Sequence, residues 1–252
     1  MPRVARIKSE TGVYHAMARG INRQDIFQDS KDRILFLEKL EAVKKRSGCL
    51  IYAYCLMRNH VHLLIVEKLE SIGQIMRRLG SAYAYWYNKK YGRVGHLFQG
   101  RFLSEPVDVD TYLLTALRYI HQNPVKAGLV NSCAGYPWSS FNDYMNPGKS
   151  VKKITDTKVV LEIVGGTRQF YEFHQKPCDN DLLDIDDVTP VTDAQAKQLI
   201  QQVLDNITAD DLLQMPIDER NRFLRELKAL PGINQKQIVR VTGISRNIVQ
   251  RA

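Results

Sequence analysis

The chain has 252 residues, of which 44% are hydrophobic and 25% are charged. This composition is that of a globular protein with its own core, and it excludes disordered and fibrous classes. No stretch approaches the roughly 20 apolar residues that span a bilayer. The basic first residues run into Ser9, Glu10 and Thr11 instead of the apolar core of a secretory signal. We therefore expect a cytoplasmic protein without membrane contact.

Positive charge is concentrated in two parts of the chain. Lys and Arg number 36 against 27 Asp and Glu, which gives a net charge of +9. Residues 1–150 hold 22 basic and 12 acidic side chains, and residues 220–252 hold 8 basic and 1 acidic. Two basic regions separated by an acidic one favour two contacts with a polyanion such as nucleic acid. A solvated Lys and Arg surface is the alternative that charge alone leaves open.

Apolar residues alternate along some segments of the first half and recur at helical spacing along others. Alternating or short apolar runs predict strands, and a spacing of three or four residues predicts helices. In chain order these are a strand at 13–19, a helix at 32–45, strands at 49–57 and 60–66, a helix at 72–91, a strand at 102–107 and a helix at 109–121. We expect the last helix to close before Pro124 and Gly128.

This order of elements predicts an α+β fold. The first six elements are those of a ferredoxin-like unit, in which an antiparallel sheet carries its helices on one face. We expect the other face to be open for a ligand or a partner. The sequence places this domain at residues 1–145, with a further short helix at 139–144, and connecting structure at 146–191.

Residues 192–252 predict an all-helical module that ends in a helix-turn-helix. A helix at 235–241, a turn at 242–244 and a second helix fit that motif. The DNA-binding candidates are the expected cap and the exposed polar residues of the second helix, Ser245, Arg246, Asn247 and Gln250. A plain helical hairpin is the alternative. The short gap with Gly243 and the basic outer face favour the helix-turn-helix.

Two histidines in the strand at 60–66 are candidate metal ligands. His60 and His62 project from the same side of a strand because side chains alternate between its faces. Two such imidazoles can converge on one divalent cation, and a site completed by amide oxygens and water admits Mg as well as Mn or Zn. The alternative is that both histidines are packing or surface residues.

A helical stripe adds a candidate nucleophile and a third ligand. Tyr119 and Asn123 lie one turn apart on the helix at 109–121 and its extension. An amide oxygen from Asn123 beside the histidines would leave metal positions open for phosphate. Because Asn123 precedes Pro124, its side chain is at risk of being turned away. From the pattern alone, a core role for Tyr119 is the stronger alternative.

Four separated motifs resemble those of the single-tyrosine HUH transposases, above all their branch tied to palindromic repeats. They contain Tyr14-His15-Ala-Met-Ala-Arg19-Gly20, Met57-Arg58-Asn59-His60-Val61-His62, His96-Leu97-Phe98-Gln99-Gly100-Arg101 and Arg118-Tyr119-Ile120-His121-Gln122-Asn123. The resemblance covers about residues 5–145. It implies a ferredoxin-like fold, a divalent metal (Mg or Mn) held by His60 and His62, and Tyr119 as the nucleophile that forms a 5′-phosphotyrosine. Asn123 matches the position of a third ligand. Arg58 departs from the Pro that the family commonly has there.

These interpretations predict a metal-dependent DNA endonuclease and strand transferase that acts on single-stranded or hairpin DNA. Its DNA-binding candidates are Lys90, Arg93, Gln99 and Arg101, with stacking platforms among Tyr83, Tyr87, Tyr91 and Phe102. We expect about half of these tyrosines to belong to the core instead. The C-terminal module would bind duplex DNA, and the protein would be a monomer or a homodimer. A non-catalytic DNA-binding regulator that recognises repeat hairpins is the alternative, and an RNA-binding ferredoxin-like module is a third.

Overall fold

The structure, a computed structural model, describes residues 6–178, 192–204, 207–230, 233, 235–245 and 248–249. The chain divides into two compact units, residues 1–183 and 184–252. Within the described ranges no helix has both the length and the apolar character needed to cross a membrane.

The first unit is built on a four-stranded antiparallel sheet. Its strands are β1 (Val13–Arg19), β2 (Leu50–Leu56), β3 (His60–Val66) and β4 (Leu103–Pro106), in the spatial order β2-β3-β1-β4. Helices α1 (Ser30–Ser47) and α2 (Ile72–Lys90) connect β1 to β2 and β3 to β4. The ferredoxin-like α+β fold is thus confirmed, and the predicted strands agree with the observed ones to within a residue at each end.

Helices α1 and α2 cover the first face of the sheet. Alternate strand residues such as Tyr14, Val61 and Leu63 pack there against the apolar sides of both helices. Helix α1 begins at a reciprocal cap, because the side chain of Asp29 accepts from the backbone of Asp32 and the Asp32 side chain accepts from the backbone of Asp29. The pair fixes the start of the helix after the β1–α1 connection.

The second face is covered as well, which corrects the expectation that it is open. Helices α3 (Asp110–Lys126), α4 (Phe141–Met145), α5 (Lys158–Val164) and α6 (Thr167–Gln175) share a second core with that face. The reason is composition: β1 and β3 present Val13, Leu64 and Val66 there, and such a face must be buried. Because α5 and α6 belong to this core, the predicted domain end at residue 145 lies inside the first unit.

Helix α3 runs through Pro124 and ends at Lys126, so the prediction that it closes before the proline was wrong. Proline removes one backbone hydrogen bond from a helix interior. The helix continues because Ile120 and Val125 on either side of Pro124 pack into the second core, and the amide nitrogen of Ala127 still bonds the carbonyl of Asn123 at 2.9 Å.

The second unit is helical in its described ranges. It contains α7 (Asp193–Leu204), α8 (Ala209–Gln214), α9 (Ile217–Ala229) and α10 (Gln235–Thr242) around an apolar core. Helix α10 agrees with the predicted helix at 235–241, and Gly243 follows it with a φ of 71°. The amide nitrogens of Ile248 and Val249 bond the carbonyl of Ser245. Arg246, Asn247 and Gln250 lie outside the described residues, so the helix-turn-helix stays a prediction.

Candidate active site

The candidate site lies on the second face, where β1 and β3 are neighbours. His60 and His62 flank Val61, whose side chain packs in the first core, so both imidazoles project from the opposite face. The register pairs Met17 of β1 with His62. His15, two residues before Met17, is therefore the diagonal neighbour of His62 on the same face.

Hydrogen bonds orient both imidazoles through Nδ1. His60 Nδ1 lies 2.6 Å from Asn59 Oδ1. Because an amide oxygen only accepts, this ring carries its proton on Nδ1 and its Nε2 is unprotonated in the neutral form. His62 Nδ1 lies 3.0 Å from His15 Nε2. The other nitrogen of that ring, His62 Nε2, is buried and has no hydrogen-bond partner within the part of the chain that the structure describes.

Helix α3 brings Tyr119 to these histidines. The centroid of its ring lies 5.7 Å from that of His62 and 6.0 Å from that of His15, both in edge-to-face geometry. Tyr119 is 1% exposed. Lys126, two turns further along α3, places its Nζ 5.0 Å from the centroid of the Tyr119 ring. A phenol, two imidazoles and an ammonium group therefore meet at one place.

Asn123 is helical, and its side chain turns toward its own helix. Its Nδ2 donates to the carbonyl of Tyr119 at 3.0 Å. This bond occupies the amide nitrogen and not Oδ1, the atom that would bind a metal. The described hydrogen bonds of Asn123 connect it to Tyr119 and to Ala127, not to either histidine.

Burial keeps His15 and His62 neutral. It lowers the pKa of His15 to about 4. Burial, followed by the neighbouring imidazoles of His60 and His15, lowers the pKa of His62 well below its usual 6.5. A neutral imidazole is the form that binds a metal. Arg19 is paired with His60 across β1 and β3, so a buried guanidinium shares this face.

The donor set fits a divalent cation that takes part of its coordination from other sources. In the described ranges no three His, Cys, Asp or Glu side chains are grouped to hold a metal by themselves. His60 and His62 supply two nitrogen ligands, and His62 Nε2 has no hydrogen-bond partner among the described residues. Amide oxygen, water and phosphate oxygen would have to complete such a site.

Comparison with known proteins assigns the domain that carries these residues. Residues 8–123 match the family model described as "Transposase IS200 like". They form an IS200-like transposase domain. Its fold is shared with a solved structure of a REP-associated tyrosine transposase bound to a REP hairpin, which is 19% identical, covers 62% of this chain and 94% of its own, and has a TM-score of 0.50.

A crystal structure of a Deinococcus radiodurans R1 protein assigned as a transposase is also similar. It is 18% identical, covers 44% of this chain and 91% of its own, and has a TM-score of 0.33. Among curated proteins, no sequence matches this chain.

In the transposase domain, the turn between β2 and β3 is held at Arg58, the position where the family commonly has Pro. The carbonyl of Arg58 accepts from the amide nitrogens of Ile26 and Phe27 at 3.0 and 3.1 Å, and its Nε donates to Asp25 at 2.8 Å. These bonds fix the hairpin tip immediately before His60. The departure therefore leaves the presentation of the histidines in place.

Lys90 and Arg93, which are predicted DNA-binding side chains, contact other residues of the first unit. Lys90 forms ion pairs with Asp29 at 2.7 Å and Asp32 at 2.6 Å, which join α2 to the start of α1. The guanidinium of Arg93 lies 5.7 Å from the ring centroid of Tyr87. Gln99 and Arg101 are exposed on the segment that precedes β4.

Two of the expected stacking platforms belong to the core. Tyr83 and Tyr87 are 0% and 1% exposed, and their hydroxyls donate to the carbonyls of Ile26 and Asp25. The spacing from Ile72 onward places both tyrosines on the apolar stripe of α2, so the sequence contained this signal. Tyr91 and Phe102 are half-buried, and they remain candidates for stacking.

A cleft of about 670 Å³ opens on the first face beside residues 95–102. Val61 and Leu79 form part of its floor, and its basic side chains are Arg6, Arg77 and Arg101. The guanidinium of Arg6 lies 3.8 Å from the ring centroid of Phe102. Partial burial lowers the pKa of Arg6, and the charge of Arg101 lowers it further. Two guanidinium groups that repel each other in this way would be stabilised by an anion.

Sequence reasoning missed three residues of the candidate site, His15, Arg19 and Lys126. His15 and Arg19 have the same parity in the strand at 13–19, which places them on one face. Which face that is depends on the register of β1 against β3, and this register is set by tertiary packing. Lys126 lies seven residues after Tyr119, a spacing that a continuous helix would have indicated.

Proposed function

We propose that the transposase domain is a metal-dependent DNA endonuclease and strand transferase. It acts on single-stranded or hairpin DNA through a 5′-phosphotyrosine at Tyr119. The observation that carries the proposal is the packing of the Tyr119 ring against His62, whose Nε2 is buried without a hydrogen-bond partner among the described residues. A phenol so placed is next to the atom that would bind the cation.

In the cleavage step the Tyr119 oxygen attacks a phosphodiester. The new bond joins this oxygen to phosphorus, and the bond from phosphorus to the 3′ oxygen breaks. The phenol gives up its proton and the leaving oxygen takes one up, so the strand leaves with a 3′-hydroxyl. A 3′-hydroxyl can attack the phosphotyrosine in the reverse sense, so rejoining needs no nucleotide cofactor. Only about one phenol in a thousand is ionised at pH 7, so the oxygen needs help.

Three features of the domain assist this attack. His60, His62 and Asn123 would hold Mg or Mn, and the bound cation would withdraw charge from the non-bridging phosphate oxygens. Lys126 places a positive charge over the Tyr119 ring, which favours a phenolate. Burial on the second face excludes water from the nucleophile.

The cleft supports a path for the DNA. Val61 lines the cleft on the first face, while its neighbours His60 and His62 project from the second face. The basic cleft and Tyr119 therefore lie at the same end of the sheet, and a strand that crosses this end would pass close to both. The solved structure with a REP hairpin supports hairpin DNA as the substrate class. The second unit would add a duplex contact through Ser245, Arg246, Asn247 and Gln250.

Covalent trapping tests the proposal. The full chain is incubated with labelled hairpins that carry single-stranded flanks from its own genomic neighbourhood, with Mg, Mn or chelator. We expect an SDS-resistant protein–DNA adduct with metal, none with chelator and none for Tyr119→Phe at unchanged DNA affinity. Tyr112→Phe, which changes another tyrosine of α3, is the matched control and should retain the adduct.

A binding titration on the same hairpins separates DNA binding from DNA cleavage. Arg77→Ala combined with Arg101→Ala should weaken hairpin binding and lower the slope of log K against log salt by about 1 to 2, because each phosphate contact releases counterions. An adduct that persists in Tyr119→Phe would refute the nucleophile. Tight metal-independent hairpin binding without any adduct from the wild type would instead favour a non-catalytic regulator.

A further inference from the structure

We infer that His15 is a positioning residue that keeps the proton of His62 on Nδ1, so that His62 Nε2 presents its lone pair to the cation. This inference rests on the proposed function, because the cation is part of that proposal. It concerns a residue of β1 that is 0% exposed and that lies on the same face as His60 and His62.

One proton is shared between His15 and His62. His15 Nε2 and His62 Nδ1 are 3.0 Å apart, and one of them must donate. If His62 donates, its Nε2 carries a lone pair that can bind a cation, and His15 carries its own proton on Nδ1. If His15 donates, His62 Nε2 becomes an N–H group, which cannot bind a metal. The direction of this single hydrogen bond therefore decides whether His62 is a ligand.

The neighbouring strand places an acceptor on the same face as His15. Glu105 is paired with His15 across β1 and β4, so the two side chains share a face. Tyr112 bonds this carboxylate, while its buried Oε2 and His15 Nδ1 both have no hydrogen-bond partner within the described residues. When His15 donates to His62, its unprotonated Nδ1 and the carboxylate are both acceptors. Donation by His62 is the direction that places a donor and an acceptor on this face.

His60 has an equivalent device. Its Nδ1 is bound to Asn59 Oδ1, an atom that only accepts, so its proton is also held on Nδ1. His15 is to His62 what Asn59 is to His60. Partners that fix the second nitrogen of a metal-binding imidazole are common, and their removal typically lowers metal affinity by about 10- to 100-fold.

Nuclear magnetic resonance of the ring nitrogens tests the tautomer directly. Long-range ¹H–¹⁵N spectra of the ¹⁵N-labelled full chain at pH 7.5 report which nitrogen of each histidine is protonated, and His62→Gln identifies the His62 signals. We expect His62 to be protonated at Nδ1 both without metal and with Zn²⁺, a diamagnetic probe. In His15→Phe the metal-free spectrum should move toward the Nε2-protonated form.

Metal affinity supplies a second readout. We expect His15→Phe to bind Zn²⁺ and Mn²⁺ about 10- to 100-fold more weakly than the wild type. His15→Gln offers an amide oxygen as acceptor for His62 Nδ1 and should recover most of the affinity. His174→Gln alters another buried histidine outside the site and should leave affinity unchanged. Circular dichroism confirms that each variant is folded, and His15→Gln keeps the test valid if His15→Phe is not.

The outcomes separate this inference from the proposed function. A wild type that binds neither cation overturns both. If the wild type binds the cations and both His15→Phe and His15→Gln bind them as tightly as the wild type does, only the role of His15 is overturned. The same holds if His62 carries its proton on Nε2 in the metal-free wild type.

Discussion

Two buried histidine pairs lie on the second face of the sheet, and they differ in how many of their ring nitrogens have a hydrogen-bond partner. In the first pair, His15 and His62, each imidazole has one nitrogen bonded to the other and one without a hydrogen-bond partner in the described ranges. In the second pair, His121 and His174, all four nitrogens are bonded.

In the second pair, the carbonyl at one end of the hydrogen-bonded chain sets the positions of the histidine protons. His174 Nδ1 donates to the carbonyl of Phe170 at 2.8 Å, so its Nε2 accepts from His121 Nδ1 at 2.9 Å. His121 Nε2 then accepts from Ser140 Oγ at 2.7 Å, and Ser140 Oγ accepts from the amide nitrogen of Tyr54 at 2.9 Å. This chain ties α6 to α3 and to β2. We call His121 and His174 the closed pair, because every ring nitrogen is bonded, and His15 and His62 the open pair. A closed pair serves stability, whereas buried nitrogens without partners indicate a binding site.

The largest expected effect comes from substituting one histidine in each pair and comparing the two variants. His62→Gln should lower adduct formation on the order of 1000-fold, because it removes a proposed ligand and with it the stabilisation of charge at phosphate. Its free energy of unfolding at pH 7 should change by less than about 1 kcal/mol, since the glutamine amide can donate to His15 Nε2 in place of His62 Nδ1.

His174→Phe should show the opposite pattern. It leaves the buried donor His121 Nδ1 without an acceptor, which costs about 1–3 kcal/mol of unfolding free energy. Adduct formation by the folded fraction should stay within about threefold of wild type. Urea denaturation and covalent trapping measure both quantities, and a stability loss confined to His62→Gln would contradict the contrast.

Acid should destabilise the closed pair. Burial lowers the pKa of His174 to about 4, whereas the unfolded chain takes up this proton near 6.5. Between pH 6.5 and 4 the unfolded state therefore binds more protons than the native state, so the free energy of unfolding falls as pH falls. His174 contributes at most about 3 kcal/mol to this loss of unfolding free energy. Its contribution should be constant above pH 6.5.

Denaturation curves at pH 7 and pH 4.5 for wild type and His174→Phe measure this contribution. The free energy of unfolding of His174→Phe should be lower than that of the wild type at pH 7. It should also fall by less between pH 7 and pH 4.5. Equal acid sensitivity of the two proteins would show that His174 is protonated in the native state.

The smallest expected effect concerns Lys126 beside the open pair. Lys126→Ala should slow adduct formation at saturating DNA by about three- to fivefold, the equivalent of about 0.5–1 kcal/mol for an exposed cation over an aromatic ring. Lys126→Arg should restore most of the rate because the charge is kept. Lys89→Ala removes an exposed lysine of α2 and serves as the control. A rate unchanged in Lys126→Ala would exclude assistance by this charge.

The sequence predicted the sheet and the shared face of the two ligand candidates because both depend on local periodicity. Alternation along 60–66 is sufficient to place His60 and His62 together. It did not predict His15 as the partner of His62, since that contact depends on strand register. It also left residues 158–175 uninterpreted. Helix α5 has seven residues, too few for a helix to be stable by itself, so its formation depends on packing against the second core.

The participation of α5 and α6 in the second core has a practical consequence for anyone who expresses part of this protein. The segment that matches the transposase family ends at Asn123. Phe170 and His174, which lie beyond it, complete the packing around α3 and β2. A fragment cut at that family limit would expose an apolar surface beside Tyr119, the proposed nucleophile. The smallest autonomous piece must therefore extend at least to Cys178, which is buried in the same core.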